Sequence, residues 1–575
     1  MSNLSKPSDA PAGPVLEVRD LRITFPTQEG PLKAVDGLSF ELDAGRSLGI
    51  VGESGSGKSA TSLALLGLHR RSRAQITGEI RVTGTDMQSA SDETVRQMRG
   101  SQIAMVFQDA LSALNPYYTV GDQIAEAYRS HTQCSKKEAW AKAVEALDHV
   151  HIPDAARRAK AYPHQFSGGM RQRSVIAMGI VCQPRVLVAD EPTTALDVTV
   201  QAQILDLLEE LRRETGMGLI LITHDLGVAA GNTDEILVMQ KGKEVERGPV
   251  GDVMRRPVHP YTQALLSSVP RLDEPSARVQ ARIELIKSGK LESKDDALVE
   301  VVDLHQTFRS GRGFLGSSKV EVRAVDGVSL EVPRGRTLGV VGESGSGKST
   351  LARCIIRLLQ PTSGKILFEG KDISRLPNSQ LKPVRRDIQM VFQDPVSSLN
   401  PRIPIGESIA LPLRIMGGKD SRAIRQEVQD MLERVGLDPQ RFNAYPHEFS
   451  GGQRQRIGIA RSLMLRPKLL ICDEPVSALD VTTQAQVLRL LNDLQEEFHL
   501  TLMFVSHDLA VVRQVCDRVA VMQHGKLVEY ADTEDLYSNP QHPYTKSLLA
   551  AVPLLDPDAA REARQARRQL LSVAS

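Results

Sequence analysis

The stretch Val51-Gly52-Glu53-Ser54-Gly55-Ser56-Gly57-Lys58-Ser59 decides how this chain is read. It follows a short apolar run, Ser47 to Val51, suited to a strand buried on both faces. A helix-like stretch with Leu63, Leu65, Leu66 and Leu68 comes after it. Strand, then Gly-x-x-x-x-Gly-Lys-Ser, then helix is the context of a phosphate cradle. The glycines let backbone N–H groups close on phosphate oxygens, and the helix start adds the positive end of its dipole. Gly52 to Ala60 would line such a cradle, with Lys58 reaching the β- and γ-phosphates and the Ser59 hydroxyl holding Mg²⁺. One such loop arises by chance often enough. Here the same residues recur as Val341, Gly342, Glu343, Ser344, Gly345, Ser346, Gly347, Lys348 and Ser349, followed by Thr350, again between an apolar run and a helix-like stretch.

The recurrence extends along the chain. The glycine loops are 290 positions apart, Gly52 against Gly342. Phe166-Ser167-Gly168-Gly169 returns as Phe449-Ser450-Gly451-Gly452, Asp190-Glu191-Pro192 as Asp473-Glu474-Pro475, and His224-Asp225-Leu226 as His507-Asp508-Leu509, all at a shift of 283. His259-Pro260-Tyr261-Thr262 and His542-Pro543-Tyr544-Thr545 close each copy at the same shift. Phe25 and Phe308 are also 283 apart, so the second copy carries seven extra residues before its loop, placed in Ser310 to Lys319. Length changes in polar, Gly-rich stretches are what surface loops tolerate. The expected organisation is an N-terminal tail over 1–14, one domain over 15–270, a linker over 271–297 rich in Arg, Glu, Lys and Ser, a second domain over 298–553, and a C-terminal tail over 554–575. In that tail Arg561, Arg564, Arg567 and Arg568 fit a solvated terminal helix or disorder.

Two apolar runs, Val186 to Ala189 and Leu469 to Cys472, each end in Asp-Glu. A strand beside the loop strand would deliver Asp190 or Asp473 to Mg²⁺ through water. The next residue, Glu191 or Glu474, would face elsewhere because strand neighbours alternate, and would orient the water that attacks the γ-phosphate.

Phe166-Ser167-Gly168-Gly169-Met170 and Phe449-Ser450-Gly451-Gly452-Gln453 resemble the signature of ATP-binding-cassette ATPases, usually written LSGGQ. The resemblance covers nearly the whole chain, twice. It implies an α/β fold of two tandem P-loop NTPase cassettes, each with a RecA-like parallel-sheet core, an antiparallel β subdomain and a helical signature subdomain. Gln108 and Gln393 look like the glutamine that senses Mg²⁺ and the attacking water, His224 and His507 like the switch histidine. Asp197 and Asp480 lie in Ala-Leu-Asp segments that look like the D-loop, and Phe25 and Phe308 look like adenine-stacking aromatics. In the family two cassettes pair head to tail, so ATP on one P-loop meets the signature of the other. One site would combine Lys58, Ser59, Gln108, Asp190, Glu191 and His224 with Ser450, Gly451, Gly452 and Gln453. The other would combine Lys348, Ser349, Gln393, Asp473, Glu474 and His507 with Ser167, Gly168, Gly169 and Met170. Both keep Lys, Asp, Glu and His, so two hydrolytic sites are expected, the second weakened slightly by Met170. Pairing within one chain makes the effective concentration high.

The His-Pro-Tyr-Thr segments, and Leu114-Asn115-Pro116 and Leu399-Asn400-Pro401 after each glutamine, look like the dipeptide, oligopeptide and nickel importer group. That group implies two integral membrane permease subunits, an external solute-binding protein, the cytoplasmic face of a bacterial inner membrane, and glutathione or short peptides as leading cargo, with nickel as another. His259 and His542 are expected only to pack or cap. The regions Asp109 to Ile124 and Asp394 to Ile409 differ between copies, which fits two different membrane partners or drift after duplication.

Composition bounds the rest. Among 575 residues, 71 are basic and 70 acidic, a formal charge of +1. There is no overall field for nucleic acid, which weighs against a soluble tandem cassette acting on ribosomes or nucleic acid. Importer-type repeats weigh against an exporter. No apolar run approaches the roughly 20 residues of a membrane helix. The five cysteines form no CxxC pair, Cys182 and Cys472 read as small core residues, and no iron–sulfur cluster is expected.

Overall fold

The computed structural model describes residues 13–27, 30–194, 196–272, 280–281, 296–310, 320–394, 398–417, 420–477 and 479–574. Most of the expected tail over 1–14, most of the linker, the seven-residue insertion, and Ala195 and Ala478 of the two Ala-Leu-Asp segments lie outside the described residues. Two compact units emerge. The first takes the chain as far as Leu196, then Val200–Val269 and the stretch from Pro553 on; the second takes Asp197–Thr199 and Pro270–Val552.

In the first unit β1 (Leu16–Thr27), β2 (Gly30–Leu42), β4 (Gln75–Val82) and β5 (Thr85–Asp86) form an antiparallel sheet in the order β2-β1-β4-β5. The remaining strands, β3 (Ser47–Val51), β6 (Ile103–Val106), β7 (Val186–Asp190), β8 (Gly218–Thr223), β9 (Glu235–Gln240) and β10 (Lys243–Pro249), form a second sheet in the order β10-β9-β3-β8-β7-β6. All its pairings are parallel except β9 with β10. Every residue of β3, β7 and β8 is buried, as uninterrupted apolar runs covered on both faces require. Helices Val120–Arg129, Lys136–His149 and Gly168–Ile180 share a separate apolar cluster that includes Ile124, Leu147, Val175 and Ile176.

The second unit repeats the plan. Strands β11 (Ala297–Ser310), β12 (Val320–Pro333), β14 (Ser363–Phe368) and β15 (Lys371–Asp372) run β12-β11-β14-β15. Strands β13 (Thr337–Val341), β16 (Ile388–Val391), β17 (Leu469–Asp473), β18 (Thr501–Val505), β19 (Arg518–Gln523) and β20 (Lys526–Asp532) run β16-β17-β18-β13-β19-β20.

Four sequence readings are corrected. The strand ending in Asp190 is not beside the loop strand: β8 lies between β3 and β7, as β18 lies between β13 and β17. Buried runs of equal hydrophobicity carry no label for their neighbours. The first helix spans only Lys58–Leu65; Gly67 turns left-handed at φ 64° and ends it, leaving Leu68 in a short 3₁₀ turn. Cys472 is buried but Cys182 only half so. The C-terminal segment is a helix, Pro557–Ala574, and two of its arginines are not solvated. Arg567 donates to Asp206 at 2.7 Å, the Arg564 Nε lies 3.2 Å from the same carboxylate, and Arg564 also donates to the Gly231 carbonyl at 2.7 Å. Arg255 pairs with Asp556 and Asp558, and Leu555 packs against a cluster containing Leu226 and Ile236. Among the described residues no helix is long and apolar enough to cross a membrane.

Candidate functional site

The first and last glycines of each loop sit too close to neighbouring backbone for a side chain. A Cβ on Gly52 (φ 154°) would lie 2.3 Å from the Met239 carbonyl oxygen, and one on Gly57 (φ 104°) 2.3 Å from that of Ala34. Gly342 and Gly347 repeat this at 2.2 and 2.1 Å from Met522 and Ala324. Lys58 is buried and donates to the carbonyls of Gly52 and Glu53 at 2.6 and 2.9 Å. Lys348 does the same to Gly342 and Glu343 at 2.7 and 2.8 Å, and burial pushes its ammonium below the usual lysine value.

Asp190 and Asp473 close the buried strands β7 and β17, and burial raises both carboxyls above the ordinary aspartate value. Ser349 donates to Asp473 at 2.9 Å. In the first unit Ser62, one helical turn beyond Ser59, donates to Asp190 at 3.0 Å, and both serines favour the aspartate's charged form. The sequence reading missed Ser62; its signal was a serine where the second copy has Ala352. The other oxygen of Asp190, Oδ1, is buried with no hydrogen-bond partner among the described residues. A buried carboxylate oxygen left with open lone pairs fits a hard divalent cation or its water shell.

Glu191 and Glu474 leave the strand by a different route from the one expected. Both are left-handed, at φ 46° and 47°, so a backbone turn rather than strand alternation separates each from its aspartate. Such a conformation costs a non-glycine residue about 1–3 kcal/mol and persists where surroundings hold it. They do so here. Gln108 donates to Glu191 Oε2 at 2.8 Å, Thr194 to the same oxygen at 2.9 Å, and His224 Nδ1 lies 3.2 Å from Oε1. In the second unit Gln393 donates to Glu474 at 2.7 Å and His507 lies 3.2 Å away. Burial works against the charge on each glutamate, but the histidine's hydrogen bond and charge outweigh it and hold both carboxyls below their usual value. His224 and His507 are raised in turn: burial opposes their charge, and the glutamate partner overcomes it.

The Ser-Gly-Gly segments open helices Gly168–Ile180 and Gly451–Leu463. Ser167 accepts from the Met170 N–H and Ser450 from the Gln453 N–H, each at 3.3 Å. Gln453 also accepts from the Ser450 N–H at 3.0 Å, completing a reciprocal cap that Met170 lacks the atoms to make. A Cβ on Gly169 would meet Val200 at 2.5 Å, and one on Gly452 would meet Thr483 at 2.2 Å. Asp480 caps helix Val481–Phe498 through the Thr483 N–H at 3.0 Å, and Asp197 directly precedes the matching helix Val198–Thr215. The aromatics behave unequally. Phe25 is half-buried with its ring edge-on to His69, centroids 5.3 Å apart, whereas Phe308 is exposed on β11.

The His-Pro-Tyr-Thr segments connect to this machinery. His259 and His542 cap their helices by accepting the N–H of Tyr261 and Tyr544 through Nδ1, both at 3.2 Å. The Tyr261 hydroxyl accepts the Glu53 N–H at 3.2 Å, and that of Tyr544 accepts the Glu343 N–H at 3.0 Å. The sequence reading missed both tyrosines, since contacts between residues 208 and 201 positions apart leave no local pattern.

Comparison with known proteins gives the family. The family described as "ABC transporter" matches residues 35–194 and 325–477, and the family described as "Oligopeptide/dipeptide transporter, C-terminal region" matches 245–290 and 528–574. The chain is 47% identical to the "Glutathione import ATP-binding protein GsiA" of Salmonella choleraesuis (strain SC-B67), over 97% of this chain and 92% of that protein. It is likewise 47% identical to the protein of that name from Escherichia coli (strain K12), over 96% and 92%. Among solved structures, the post-hydrolysis ATP-binding cassette MJ0796 bound to ADP and Pi is 30% identical, covers 41% of this chain and 98% of its own, and has a TM-score of 0.37. With two complete cassettes and relatives matching along almost its whole length, this chain belongs to the ABC transporter family of ATP-hydrolysing subunits.

Proposed function

We propose that this chain energises the import of short peptides, glutathione foremost, from the cytoplasmic face of a bacterial inner membrane, with both of its ATP sites hydrolytic. The observation that carries the two-site reading is the duplicated network: Gln108–Glu191–His224 and Gln393–Glu474–His507 have the same partners at nearly the same distances. Relatives named for glutathione import support the cargo.

In this reading ATP phosphates lie in the glycine loops, against Lys58 and Lys348. Glu191 and Glu474, kept ionised, accept a hydrogen bond from water and align its oxygen with the γ-phosphorus. That oxygen bonds to phosphorus as the bond to the β–γ bridging oxygen breaks and ADP leaves with the electron pair. The glutamine and histidine hold the carboxylate in its left-handed pose. Ser59, Gln108 and Asp190, and Ser349, Gln393 and Asp473, would hold Mg²⁺, which supplies neutralisation of phosphate charge; the partnerless Asp190 Oδ1 suits that role. By the family resemblance, the capped starts of the signature helices would meet ATP carried by the opposite cassette.

Two unlike permeases are the proposed partners, with an external solute-binding protein delivering cargo. A cavity of about 790 Å³ beside Gln393 is lined by Phe392, Leu411, Ile415 and Arg461, and Leu411 and Ile415 are exposed. The corresponding residues of the first copy, 285 positions earlier, are Glu126 and Ser130. An apolar groove in one copy and a polar helix face in the other suit different docking elements.

The test is ATPase activity of Glu191→Gln, Glu474→Gln and the double variant. Each single change should cost orders of magnitude at its own site while ATP stays bound. A single variant with near wild-type turnover would end the two-site reading. For cargo, ATPase of the chain assembled with its permeases and binding protein should rise with glutathione; stimulation by dipeptides or nickel alone would replace it.

A further inference from the structure

The His-Pro-Tyr-Thr motif has no place in the hydrolysis scheme, yet it is tied to the glycine loop in both copies. The connection runs through named atoms. The Glu246 carboxylate on β10 accepts the N–H groups of Val258 and His259 at 2.7 and 3.2 Å, which fixes the entry to helix Pro260–Ser268. His259 caps that helix and Thr262 is buried beneath it, so Tyr261 is held in one orientation. Its hydroxyl accepts the Glu53 N–H, while the Glu53 carbonyl accepts from Lys58. Both backbone polar groups of Glu53 are thereby engaged, one by the motif and one by the phosphate-binding lysine.

The second copy is built alike. Glu529 accepts from Gln541 and His542 N–H groups at 2.8 and 3.0 Å, Tyr544 accepts the Glu343 N–H, and the Glu343 carbonyl accepts from Lys348. Burial pushes the Tyr544 hydroxyl up to about 12, so it keeps its proton at any physiological pH.

From this geometry we infer that Tyr261 and Tyr544 are positioning residues for ATP: each pins the first turn of its glycine loop, so that the N–H groups behind it and the lysine are set for phosphate. The inference rests on the reading that ATP binds these loops. A loop held in its bound shape loses less conformational freedom on binding, so the anchor acts on affinity rather than on the chemical step.

The test uses the full chain with Tyr261→Phe and Tyr544→Phe together, which removes two hydroxyls and keeps both rings. Loss of one neutral hydrogen bond per site predicts a rise of about two- to twelvefold in the dissociation constant for mant-ATP and in the KM for ATP. Turnover at saturation should stay within about twofold and the thermal midpoint should barely move. His259→Asn with His542→Asn keeps a capping acceptor and should bind near wild type, whereas the two alanine variants should weaken binding as the phenylalanines do. Unchanged mant-ATP affinity in the phenylalanine variant overturns the inference. So does a loss that tracks a fall in thermal midpoint, because the hydroxyls then only hold the fold. Failure of the wild-type chain to bind mant-ATP would instead remove the underlying ATP reading.

Discussion

Replacing Asp206 with alanine should release the C-terminal helix Pro557–Ala574 without unfolding the cassette beneath it. Asp206 lies on helix Val198–Thr215, accepts a hydrogen bond from Arg567 at 2.7 Å and forms an ion pair with Arg564 at 3.2 Å. All three side chains are largely buried, with 16%, 13% and 18% of their surfaces exposed. Solvent screening is therefore modest, and a hydrogen bond to a charged group contributes about 1.5–3 kcal/mol. Both arginines lose the carboxylate, but Arg564 keeps its bonds to the Gly231 carbonyl and Asn232, so the hydrogen bond lost is that of Arg567. A loss of about 2–3 kcal/mol for docking follows, which multiplies the opening equilibrium about 30- to 160-fold. Hydrogen exchange reads this directly: amides of Pro557–Ala574 should exchange faster by that factor, while β3, β7 and β8 stay protected. Exchange in the helix that is unchanged in Asp206→Ala would refute the reasoning, for the helix would then be held by Leu555, the Arg255 contacts and the remaining Arg564 bonds. Equal acceleration through the core strands would refute it from the other side, since Asp206 would be supporting the cassette itself.

Other predictions concern the caps and the paired charges. Met170→Gln gives the first signature helix the amide oxygen that Gln453 uses on the Ser450 N–H; it should stabilise that helix by about 0.3–1 kcal/mol, and Gln453→Met should cost the same, both measurable by urea denaturation. The His224–Glu191 pair makes a signed pH prediction. His224 is raised above 6.5, so its contribution is complete below that value and is lost as pH rises through the raised one. Glu191 is lowered from 4.5, so its contribution is complete above 4.5 and is lost as pH falls through the lowered one. The pair, and likewise His507–Glu474, should stabilise most between those two pH values. Thermal midpoints against pH should show this rise in the native chain and a flatter profile in Glu191→Gln with Glu474→Gln; parallel curves would dismiss it.

What the sequence revealed and what it hid divides along physical lines. The loop from Gly52 to Ser59 was legible because phosphate chemistry fixes residue types within a single turn of backbone. Asp190-Glu191 was legible as a pair of carboxylates after a buried run, but not as a left-handed turn, since φ is set by what surrounds Glu191 and not by its own preference. Strand order was hidden because Val186–Asp190 and Gly218–Thr223 are equally apolar and equally suited to flank β3. Longest in sequence and least visible were the bonds from Tyr261 to Glu53 and from Arg567 to Asp206, which join residues 208 and 361 positions apart. No local spacing encodes such contacts. They need the fold to exist first.

The duplication turns the chain into its own control. Where two copies of one ancestral plan keep the same atoms at the same distance, geometry common to both is tied to the chemistry they share. The bonds from glutamine to glutamate (2.8 and 2.7 Å), the histidine–glutamate pairs (3.2 Å in each) and the tyrosine anchors (3.2 and 3.0 Å) are of this kind. The differences lie elsewhere: Ser62 against Ala352 on the loop helix, Met170 against Gln453 at a helix cap, Glu126 and Ser130 against Leu411 and Ile415 on the face near the glutamine. Ser62 and Met170 modify bonds without removing a reacting group, whereas the last pair changes the character of an exposed surface. Two like engines with unlike docking faces fit the proposal that both ATP sites hydrolyse and that each cassette meets a different membrane subunit.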